Sequence, residues 1–493
     1  MFQLRYAFIL LLFFFSPAVV AAVSLDERVT EHRLDNGLTL LLLERHSAPT
    51  VSAYISFAVG SVDETSRQRG VAHLLEHMLF KGTRTLGTTD FAAERPLLRQ
   101  IEEVGRQLDA LKIDPVAHRQ RLEQLRQELE QLQKEHRQFV VKDEFARIYA
   151  EHGGVGYNAF TSKDQTSYLI NLPANKLELW AAIESDRLQN AVFREFYTER
   201  DVVLEERYRA IEVNPSRKLY ENLLATAYQV HPYRHPIIGW QSDIAFMTPD
   251  TIRTFFGSYY APANMVITLV GAFDSDEALT LVERYFGSLP PGEKVPPVTA
   301  REPQQKGERR VKVTFDAEPR MMVAYHKPTL PHADDYVFDL LGQALTGGRS
   351  SRLYQSLVVD KQLVTDVSIF TAPGSRYDNL LIVSLLPRRG VTFARLEQAL
   401  DEEFQQLLRN PLTTEEMEQA RRQILTSLLR GMQSNSGLAR MLSSYQILGN
   451  WRYLVDYEEK LNRVTTEDVS RVVTDYLHAD NRVVAQLSRE GEQ

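Results

Sequence analysis

The nine residues Gly70-Val71-Ala72-His73-Leu74-Leu75-Glu76-His77-Met78 hold the pattern around which the rest of this 493-residue chain can be arranged. Residues three and four apart share one face of an α-helix, so His73 and His77 can point into the same space, with Glu76 beside them. The remaining residues of the stretch are mostly apolar, which predicts a buried helix over residues 70–80. Two imidazoles on one helical turn are a pair of metal ligands, and the sequence therefore predicts one half of a metal site.

A carboxylate beside two such imidazoles favours zinc chemistry. A catalytic zinc ion takes three protein ligands, keeps a fourth position for water and lowers the pKa of that water to about 7. Glu76 can then accept the proton. The spacing His-x-x-Glu-His is the inverse of His-Glu-x-x-His, the commoner zinc hydrolase pattern. The alternative is coincidence on an amphipathic helix, for which the 12 histidines of the chain give roughly 2 chains in 100.

A third ligand is predicted on a later helix, over residues 195–212. Glu199 and Glu206 are seven residues apart and so lie on the same face of that helix. Either of them can complete a metal site. Glu205 is the main competitor of Glu206, but it points about 100° away around the helix, so the two side chains cannot bind the same ion.

Two further groups of candidate ligands are weaker. Glu151 and His152 precede a Gly-rich segment, and a His at the edge of a loop is usually solvated. His231 and His235 have the spacing of helical metal ligands, but a proline follows each of them and makes a helix unfavourable. We interpret this second segment as a structured loop.

The composition narrows the classes of function. The chain has no Cys, which excludes disulfides, thiolate ligands, a cysteine nucleophile and a lipidated Cys, so any metal must be held by His and carboxylates. The formal charge of −8 offers no basic face, and we expect no nucleic-acid partner. An apolar content of 43% is enough for two or three folded domains.

Residues 1–22 have the pattern of a signal peptide. A short basic region contains Arg5, the apolar run of residues 7–15 is too short to span a membrane comfortably, and cleavage is expected after Ala22. The mature protein is therefore predicted to be exported, and to be periplasmic or secreted. An uncleaved membrane anchor is the alternative.

Turn and helix signals outline the domain that carries the motif. Asn36-Gly37 predicts a β-hairpin that leads into the apolar run 38–43. A Gly-rich segment, residues 153–161, precedes another strand. Between the motif and that segment, leucines at heptad spacing predict a helical hairpin inserted at about residues 94–144. We interpret this hairpin as a solvated accessory arm.

The pattern then repeats. Residues 247–270 match residues 464–487 at a constant offset of 217, which pairs Tyr259 with Tyr476 and Asn264 with Asn481. Such a repeat indicates an internal duplication, and the Pro- and Gly-rich residues 290–309 predict a linker. The fold class predicted is α+β with two homologous domains, residues 23–289 and 310–493, each an antiparallel-rich sheet with helices packed on one face. In the second copy the helix near residues 339–343 has no metal ligands.

Four blocks of sequence carry a family resemblance: residues 70–78, Asn158-Ala159-Phe160-Thr161-Ser162, residues 199–206 and His231-Pro232-Tyr233. In this order they resemble the pitrilysin and insulin-degrading-enzyme family of inverzincin metallopeptidases, most closely its short bacterial branch similar to mitochondrial processing peptidase. The resemblance implies an exported zinc metalloendopeptidase that cleaves short or unfolded peptides. It also implies one Zn²⁺ per chain, held by His73, His77 and Glu206, with Glu199 supporting the site and Glu76 as the catalytic residue.

The same resemblance implies how substrate is held. An extended peptide would add to an exposed edge strand over residues 155–161, with Asn158 and Ala159 in closest reach, inside a chamber built from two halves. Many members carry an Arg and a Tyr in the C-terminal half, in a stretch that corresponds here to residues 357–365. Val358 and Thr365 replace them in this chain and can do neither job.

That departure leads to a prediction about partners. We expect the chain to be the catalytic subunit of a heterodimer with a zinc-less homologue that supplies the Arg and Tyr, and a homodimer is possible. The alternative function is a zinc-retaining binding or scaffold subunit with little turnover of its own.

Overall fold

The computed structural model describes residues 24–491, so the predicted signal peptide lies outside the described residues. The N-terminal half forms a six-stranded sheet in the order β1-β2-β6-β3-β5-β4. All neighbouring strands are antiparallel except β2 and β6, which run parallel. The strands are β1 (Val29–Arg33), β2 (Thr39–Glu44), β3 (Thr50–Phe57), β4 (Val155–Thr161), β5 (Thr166–Pro173) and β6 (Met265–Gly271).

The Asn36-Gly37 turn joins β1 to β2, as the sequence predicts. The Leu34 backbone N–H donates to the Leu38 carbonyl at 2.9 Å, and Gly37 has a φ of 92°, a conformation that glycine adopts without a steric penalty. The Asn36 amide also donates to the Phe286 carbonyl at 2.8 Å. The turn therefore fixes the register of the hairpin and ties it to a segment 250 residues later in the chain.

The C-terminal half repeats this architecture. Its five-stranded sheet has the order β7-β11-β8-β10-β9, in which only β7 and β11 are parallel. This is the order β2-β6-β3-β5-β4 of the first sheet, strand for strand. The predicted α+β class with two homologous domains is thereby confirmed. The strands are β7 (Arg309–Thr314), β8 (Arg320–Lys327), β9 (Val364–Ala372), β10 (Asn379–Pro387) and β11 (Arg482–Ser488).

Equivalent hydrogen bonds mark the repeat at the level of single residues. The Asn264 side-chain amide donates to the Tyr259 carbonyl at 3.2 Å, and the Asn481 amide donates to the Tyr476 carbonyl at 2.9 Å. In each half this asparagine precedes the central strand that pairs in parallel with its neighbour. The matched pairs found in the sequence therefore hold the same turn in both halves.

Helices surround the two sheets. The helix that carries the motif is α2, and its counterpart in the second half is α12. The helices are α1 (Leu25–Arg28), α2 (Val71–Met78), α3 (Phe91–Leu111), α4 (Arg119–His136), α5 (Glu144–Glu151), α6 (Leu177–Asn190), α7 (Phe196–Arg207), α8 (Pro215–Ala227), α9 (Gln241–Ala245), α10 (Pro249–Tyr259), α11 (Ser275–Phe286), α12 (Asp334–Thr346), α13 (Phe393–Arg409), α14 (Thr414–Gly431), α15 (Asn435–Leu448), α16 (Arg452–Asn462) and α17 (Thr466–Tyr476).

Each sheet is covered on both faces, and one cover comes from the other half of the chain. The sequence predicts helices on one face of each sheet, and on that face the helices of the same half form the larger cores. On the opposite face α15 packs across the first sheet, and α8 packs across the second. The physical reason is the apolarity of the central strands, since all seven residues of β6 are buried and a bare second face would leave apolar surface in water.

The predicted helical hairpin is present as α3 and α4, which meet through Val104, Leu108, Leu122 and Leu125. Its first helix is not an accessory arm. Ile101 belongs to the core of the N-terminal half, and the Glu94 side chain is fully buried in an ion pair with Arg194. The expectation that residues 94–144 form a solvated arm is therefore wrong for α3, because its apolar stripe faces the domain as well as α4.

The segment between the two halves is irregular and is hydrogen-bonded to the N-terminal half. Residues 290–308, in the region predicted as a linker, contain neither helix nor strand. Glu302 within them accepts hydrogen bonds from the backbone of residues 229–231.

Across residues 24–491, none of the helices is long and apolar enough to cross a membrane.

Candidate metal centre

Three side chains from α2 and α7 converge. The His73 and His77 Nε2 atoms lie 3.7 Å and 3.5 Å from the same Glu206 carboxylate oxygen. Candidate ligand atoms of the three residues lie within 4.8 Å of one another. Ligand atoms of a tetrahedral zinc ion with bonds of about 2.0–2.1 Å are separated by about 3.3 Å. The two nitrogens and one oxygen therefore fit a zinc ion with little adjustment.

The start of α2 is fixed by a buried glutamate. Gly70, the residue before the helix, has a φ of 97° and no capping side chain. Glu64 takes that role, since its two carboxylate oxygens accept the backbone N–H groups of Gly70 and Ala72, each at 2.9 Å. Burial raises the pKa of Glu64 to about 8. This contact orients the first turn of the helix that carries both imidazoles.

Helix α7 presents Glu206 to the histidines and turns Glu205 away. The Glu205 carboxylate instead accepts a hydrogen bond from Arg209 at 2.6 Å, on the exposed side of the helix. Glu199, about two helical turns before Glu206, lies on the same side and approaches His77. The α-helix gives way to a π-helical turn, Tyr208–Glu212, directly after this segment, a feature that is frequent at functional sites.

An ion pair between Glu199 and Lys81 supports His77 through the Nδ1 atom of its ring. Its Nδ1 atom lies 3.4 Å from a Glu199 oxygen, and the other Glu199 oxygen lies 2.5 Å from the Lys81 Nζ. A carboxylate on the second nitrogen is the usual way to set the tautomer and orientation of a ligating histidine. The buried Nδ1 of His73, in contrast, has no hydrogen-bond partner among the described residues.

The two imidazoles differ in their electrostatic surroundings. Burial lowers the pKa of His73 to about 4, with the neighbouring His77 acting in the same direction. Burial also works to lower the pKa of His77, but hydrogen bonds to Glu199 and Glu206 outweigh it and raise the value to about 9. The hydrogen bond with His77 lowers the pKa of Glu206. Without a metal, the pocket therefore pairs one protonated imidazole with two carboxylates.

Glu76 lies between the imidazoles and the edge strand. Its carboxylate accepts a hydrogen bond of 2.5 Å from the hydroxyl of Thr161, the last residue of β4. Burial raises the pKa of Glu76, and the hydrogen bond from Thr161 and the nearby His77 only partly oppose that shift. A carboxylate with a raised pKa is suited to accept and return a proton near neutral pH.

Strand β4 is an edge of the first sheet, as the sequence predicts for residues 155–161. It pairs with β5 on one side only, and the register shifts between Val155 and Asn158. The Asn158 side chain is exposed and the Ala159 side chain is buried, so Ala159 offers its backbone alone. Within residues 24–491, no strand pairs with the other side of β4.

The other candidates lie outside the cluster. His231 accepts the Tyr233 backbone N–H in a short 3-10 turn, and His235 accepts a hydrogen bond from Trp240. The predicted structured loop is what the structure contains there. Glu151 pairs with Arg147, and His152 contacts the backbone at the end of α5.

The positions expected to hold a substrate-clamping Arg and Tyr are occupied by small side chains in different settings. Val358 lies buried in the core of the second half, within a π-helical turn, Tyr354–Asp360. Thr365 is exposed on β9, the edge strand of the second sheet, and donates to the Leu386 carbonyl. Neither side chain can supply a cation or a phenol.

Sequence reasoning missed Thr161 and Lys81. Thr161 contacts the site through Glu76, and Lys81 contacts it through Glu199. Thr161 lies within the block 158–162 and Lys81 lies just after the block 70–78. This closeness to the family motifs was the available signal in the sequence. Only the folded chain shows which hydroxyl and which ammonium face inward.

Comparison with known families settles where the chain belongs. A model described as Insulinase (Peptidase family M16) matches residues 39–112 and 140–240, which include the converging side chains. A second model, described as Peptidase M16 inactive domain, matches residues 247–424. The chain belongs to peptidase family M16. The gap between the two segments of the first match, residues 113–139, contains α4.

Relatives match this M16 chain over most of its length. Zinc protease PqqE of Helicobacter pylori is 26% identical over 452 residues, which are 90% of this chain and 89% of that protein. A probable mitochondrial-processing peptidase subunit beta of Schizosaccharomyces pombe is 25% identical over 479 residues, 93% of this chain and 91% of that protein. A crystal structure of a protease from Helicobacter pylori has a TM-score of 0.78 at 23% identity and covers 93% of this chain and 99% of that one. The last comparison shows the fold, and the names support a peptidase family.

Proposed function

We propose that this protein is an exported zinc metalloendopeptidase that cleaves short or unfolded peptides. The observation that supports the proposal most directly is the convergence of His73, His77 and Glu206 on one point, beside the partly buried carboxylate of Glu76. In this proposal the three converging side chains are the ligands, and Glu199 holds His77 in its ligating orientation. One Zn²⁺ is bound per chain.

The chain's own residues perform the proton transfers. A zinc ion held at this site would activate water as a Lewis acid. Glu76 accepts a proton from the attacking water and later donates it to the leaving amine. Thr161 orients Glu76 through its hydroxyl, and burial keeps the pKa of Glu76 high enough for the carboxyl group to return the proton.

The edge strand β4 binds the substrate in this proposal. A peptide that adds to its free side would gain main-chain hydrogen bonds that depend little on sequence. Asn158 and Ala159 lie in the middle of that strand, between the register shift and the threonine that contacts Glu76. A folded protein has no extended segment free to pair in this way, which favours short or unfolded substrates.

The remaining proposals concern export, domains and partners. We assign residues 1–22 to a cleaved signal peptide, so that the mature chain is periplasmic or secreted. The N-terminal domain spans residues 23–289, a linker spans residues 290–309, and the second domain spans residues 310–493. The name of the Schizosaccharomyces pombe relative describes one subunit of a peptidase, which supports a heterodimer with a zinc-less homologue, and a homodimer is the second arrangement.

Glu76→Gln tests the catalytic assignment. The substitution removes the base and spares all three ligands, so zinc content should stay at one per chain while peptide turnover falls about 10²- to 10⁴-fold. Metal analysis and a fluorogenic peptide assay on the same preparation measure both quantities. Near-normal turnover in the zinc-loaded variant would show that Glu76 is not the base.

A second candidate function is a zinc-retaining binding or scaffold subunit. It is favoured by the side chains Val358 and Thr365, which lack the charge and the hydroxyl geometry needed to stabilise a developing oxyanion. This candidate predicts bound zinc and peptide binding with little turnover, both alone and with any partner. A turnover more than about 10²-fold above that of Glu76→Gln would exclude it.

A further inference from the structure

Helices α2 and α7 supply all three proposed ligands, and they run side by side in opposite directions. The first histidine of α2 faces Glu206 near the end of α7, and Lys81, just after α2, faces Glu199 near the start of α7. A buried arginine flanks α7 at each end: Arg194 lies two residues before the helix, and Arg207 is its last residue.

Arg194 holds the segment that follows α2. Its guanidinium donates to the carbonyls of Lys81 at 2.6 Å, Thr83 at 2.7 Å and Leu86 at 3.3 Å. Its remaining donors contact both carboxylate oxygens of Glu94 at 2.8 Å and 3.2 Å. Both side chains of this ion pair are 0% exposed. The arginine therefore joins the start of α7 to the end of α2 with every donor in use.

The loop after α2 is shaped around this guanidinium. Gly82 and Gly87 have φ values of 101° and 81°. A Cβ atom on Gly82 would lie 2.6 Å from the Arg194 Nη1, and one on Gly87 would lie 3.1 Å from it. The two glycines thus leave the space that lets three carbonyls turn toward one cation.

Arg207 forms the corresponding contact at the other end. Its guanidinium donates to Glu221 of α8 at 2.9 Å and 3.1 Å, and to the Gly239 carbonyl at 2.8 Å. The two charged side chains are 4% and 5% exposed. Arg207 follows Glu206 directly, so its ion pair with Glu221 anchors the chain next to the proposed ligand.

Gly239, which accepts a hydrogen bond from Arg207, also lies against the residue that precedes α2. A Cβ atom on Gly239 would lie 2.7 Å from the Gly70 Cα atom, and one on Gly70 would lie 2.5 Å from the Ile238 carbonyl oxygen. The two backbones are therefore in direct contact where α2 begins. Through Gly239, Arg207 joins the end of α7 to the start of α2.

We propose that Arg194 and Arg207 are positioning residues that hold α2 and α7 at the spacing needed for zinc before any metal binds. The inference rests on the proposed function, because it assigns these contacts to the preformed ligand geometry. Arginine suits the task, since its planar group carries five donors at fixed angles, whereas lysine carries one charge on a flexible stem. Groups that hydrogen-bond directly to a ligating residue typically change metal affinity by about 10- to 100-fold, and we expect residues that hold the two ligand-bearing helices to act within this range.

Arg200 provides a matched control on the same helix. It is 3% exposed and pairs with Asp109 of α3 at 2.7 Å and 3.0 Å. It also donates to the Met247 carbonyl. Its burial and its carboxylate partner match those of the two positioning residues, but none of its hydrogen bonds reaches α2 or the loops that adjoin it. A lysine substitution there should cost stability without changing the spacing of the ligands.

The first measurement is the zinc dissociation constant of Arg194→Lys, Arg207→Lys and Arg200→Lys, by competition with a chromophoric chelator. We expect a rise of about 10- to 100-fold for the first two variants and a change within about twofold for the third. Thermal unfolding of the metal-free proteins shows whether the three lose similar stability. An equal rise in all three variants, or no rise in the first two, would overturn the positioning role.

Hydrogen exchange of the metal-free chain tests the positioning role without zinc. Peptides that cover residues 70–87 should exchange faster in Arg194→Lys and Arg207→Lys than in the parent chain or in Arg200→Lys. If the parent chain binds no zinc but this difference is present, the proposed function fails, and the difference shows only that the two arginines hold α2 in place against α7. If the parent chain binds zinc and the exchange is unchanged, the positioning role is wrong and the proposed function stands. Should a lysine variant not fold, Glu94→Gln or Glu221→Gln replaces it with the same expectations.

Discussion

Two adjacent glutamates, Glu205 and Glu206, have nearly opposite surroundings although they follow each other on one helix. One pairs with Arg209 on the outer surface, while the other lies within 3.7 Å of both imidazoles. The helical rotation of about 100° per residue accounts for the difference. At this scale a single position in the register decides whether a carboxylate is a ligand or a surface charge.

The register leads to a prediction with a built-in control. Glu206→Gln should lower zinc affinity by at least about 100-fold, because a neutral amide is a poor replacement for an anionic ligand. Glu205→Gln should leave zinc content at one per chain, since its partner is an exposed arginine. Metal analysis after dialysis against a weak chelator compares the two variants. Zinc loss in Glu205→Gln alone would reverse the assignment of the third ligand.

At the scale of elements, α12 shows what replaced the metal site in the second half. Asp339 on this helix accepts a hydrogen bond from the Tyr457 hydroxyl at 2.6 Å. Burial, with a smaller contribution from Asp335, raises the pKa of Asp339 to about 6. A partly buried carboxyl group with a raised pKa, in contact with a tyrosine hydroxyl, therefore lies on the helix that corresponds to α2.

The raised pKa of Asp339 predicts a pH dependence of stability. The folded chain binds this proton more tightly than the unfolded chain, in which the pKa is near 3.8. The stabilising effect is complete below about pH 4 and is lost as the pH rises through 6, and it amounts to about 3 kcal/mol. Relative to Asp339→Asn, the unfolding free energy of the parent chain should fall by that amount between pH 4 and pH 7. Parallel unfolding curves for the two proteins across this range would contradict the prediction.

The heptad pattern of the α3–α4 hairpin predicts a solvated arm, but its first helix is part of the core of the N-terminal half. Its leucines follow a heptad pattern, and that pattern alone predicts burial against a neighbouring helix. It does not reveal the buried ion pair of Glu94 with Arg194, or the hydrogen bond of 2.8 Å between Glu94 and His136 of α4. Both helices are thus linked to the start of α7 through one buried carboxylate.

At the scale of the whole molecule, the two halves are joined by exchanged helices. Leu219 and Leu223 of α8 are fully buried against the second sheet, and Leu442 of α15 is buried against the first. Fully burying a leucine contributes roughly 1.5–3 kcal/mol. The halves therefore form a single packed unit, and neither half by itself would cover both faces of its sheet.

A partner subunit is the prediction at this scale. If a zinc-less homologue supplies the missing Arg and Tyr, co-expression should give a complex of two chains whose peptide turnover exceeds that of this chain alone by about 10²- to 10³-fold, the usual effect of an oxyanion donor. Size measurement and a peptide assay on the purified complex check both parts. Full activity of this chain as a monomer or homodimer would contradict the heterodimer proposal.

The sequence by itself determined the features that depend on local spacing. His73, Glu76 and His77 share a helical face because of the helical repeat, the Asn36-Gly37 turn follows from backbone preferences, and the offset of 217 residues revealed the duplication. These signals are short in range or periodic. A single sequence shows them without any knowledge of tertiary contacts.

Only the tertiary structure decided which distant groups meet. The contact of Thr161 with Glu76 joins residues 85 apart, and Arg194 reaches Glu94 across 100 positions. The exchange of α8 and α15 between the sheets likewise leaves no periodic trace, because an amphipathic helix shows that it will be buried and does not show against what. Packing of whole elements settles such contacts, since the free energy of burial depends on the complete set of neighbours rather than on spacing along the chain.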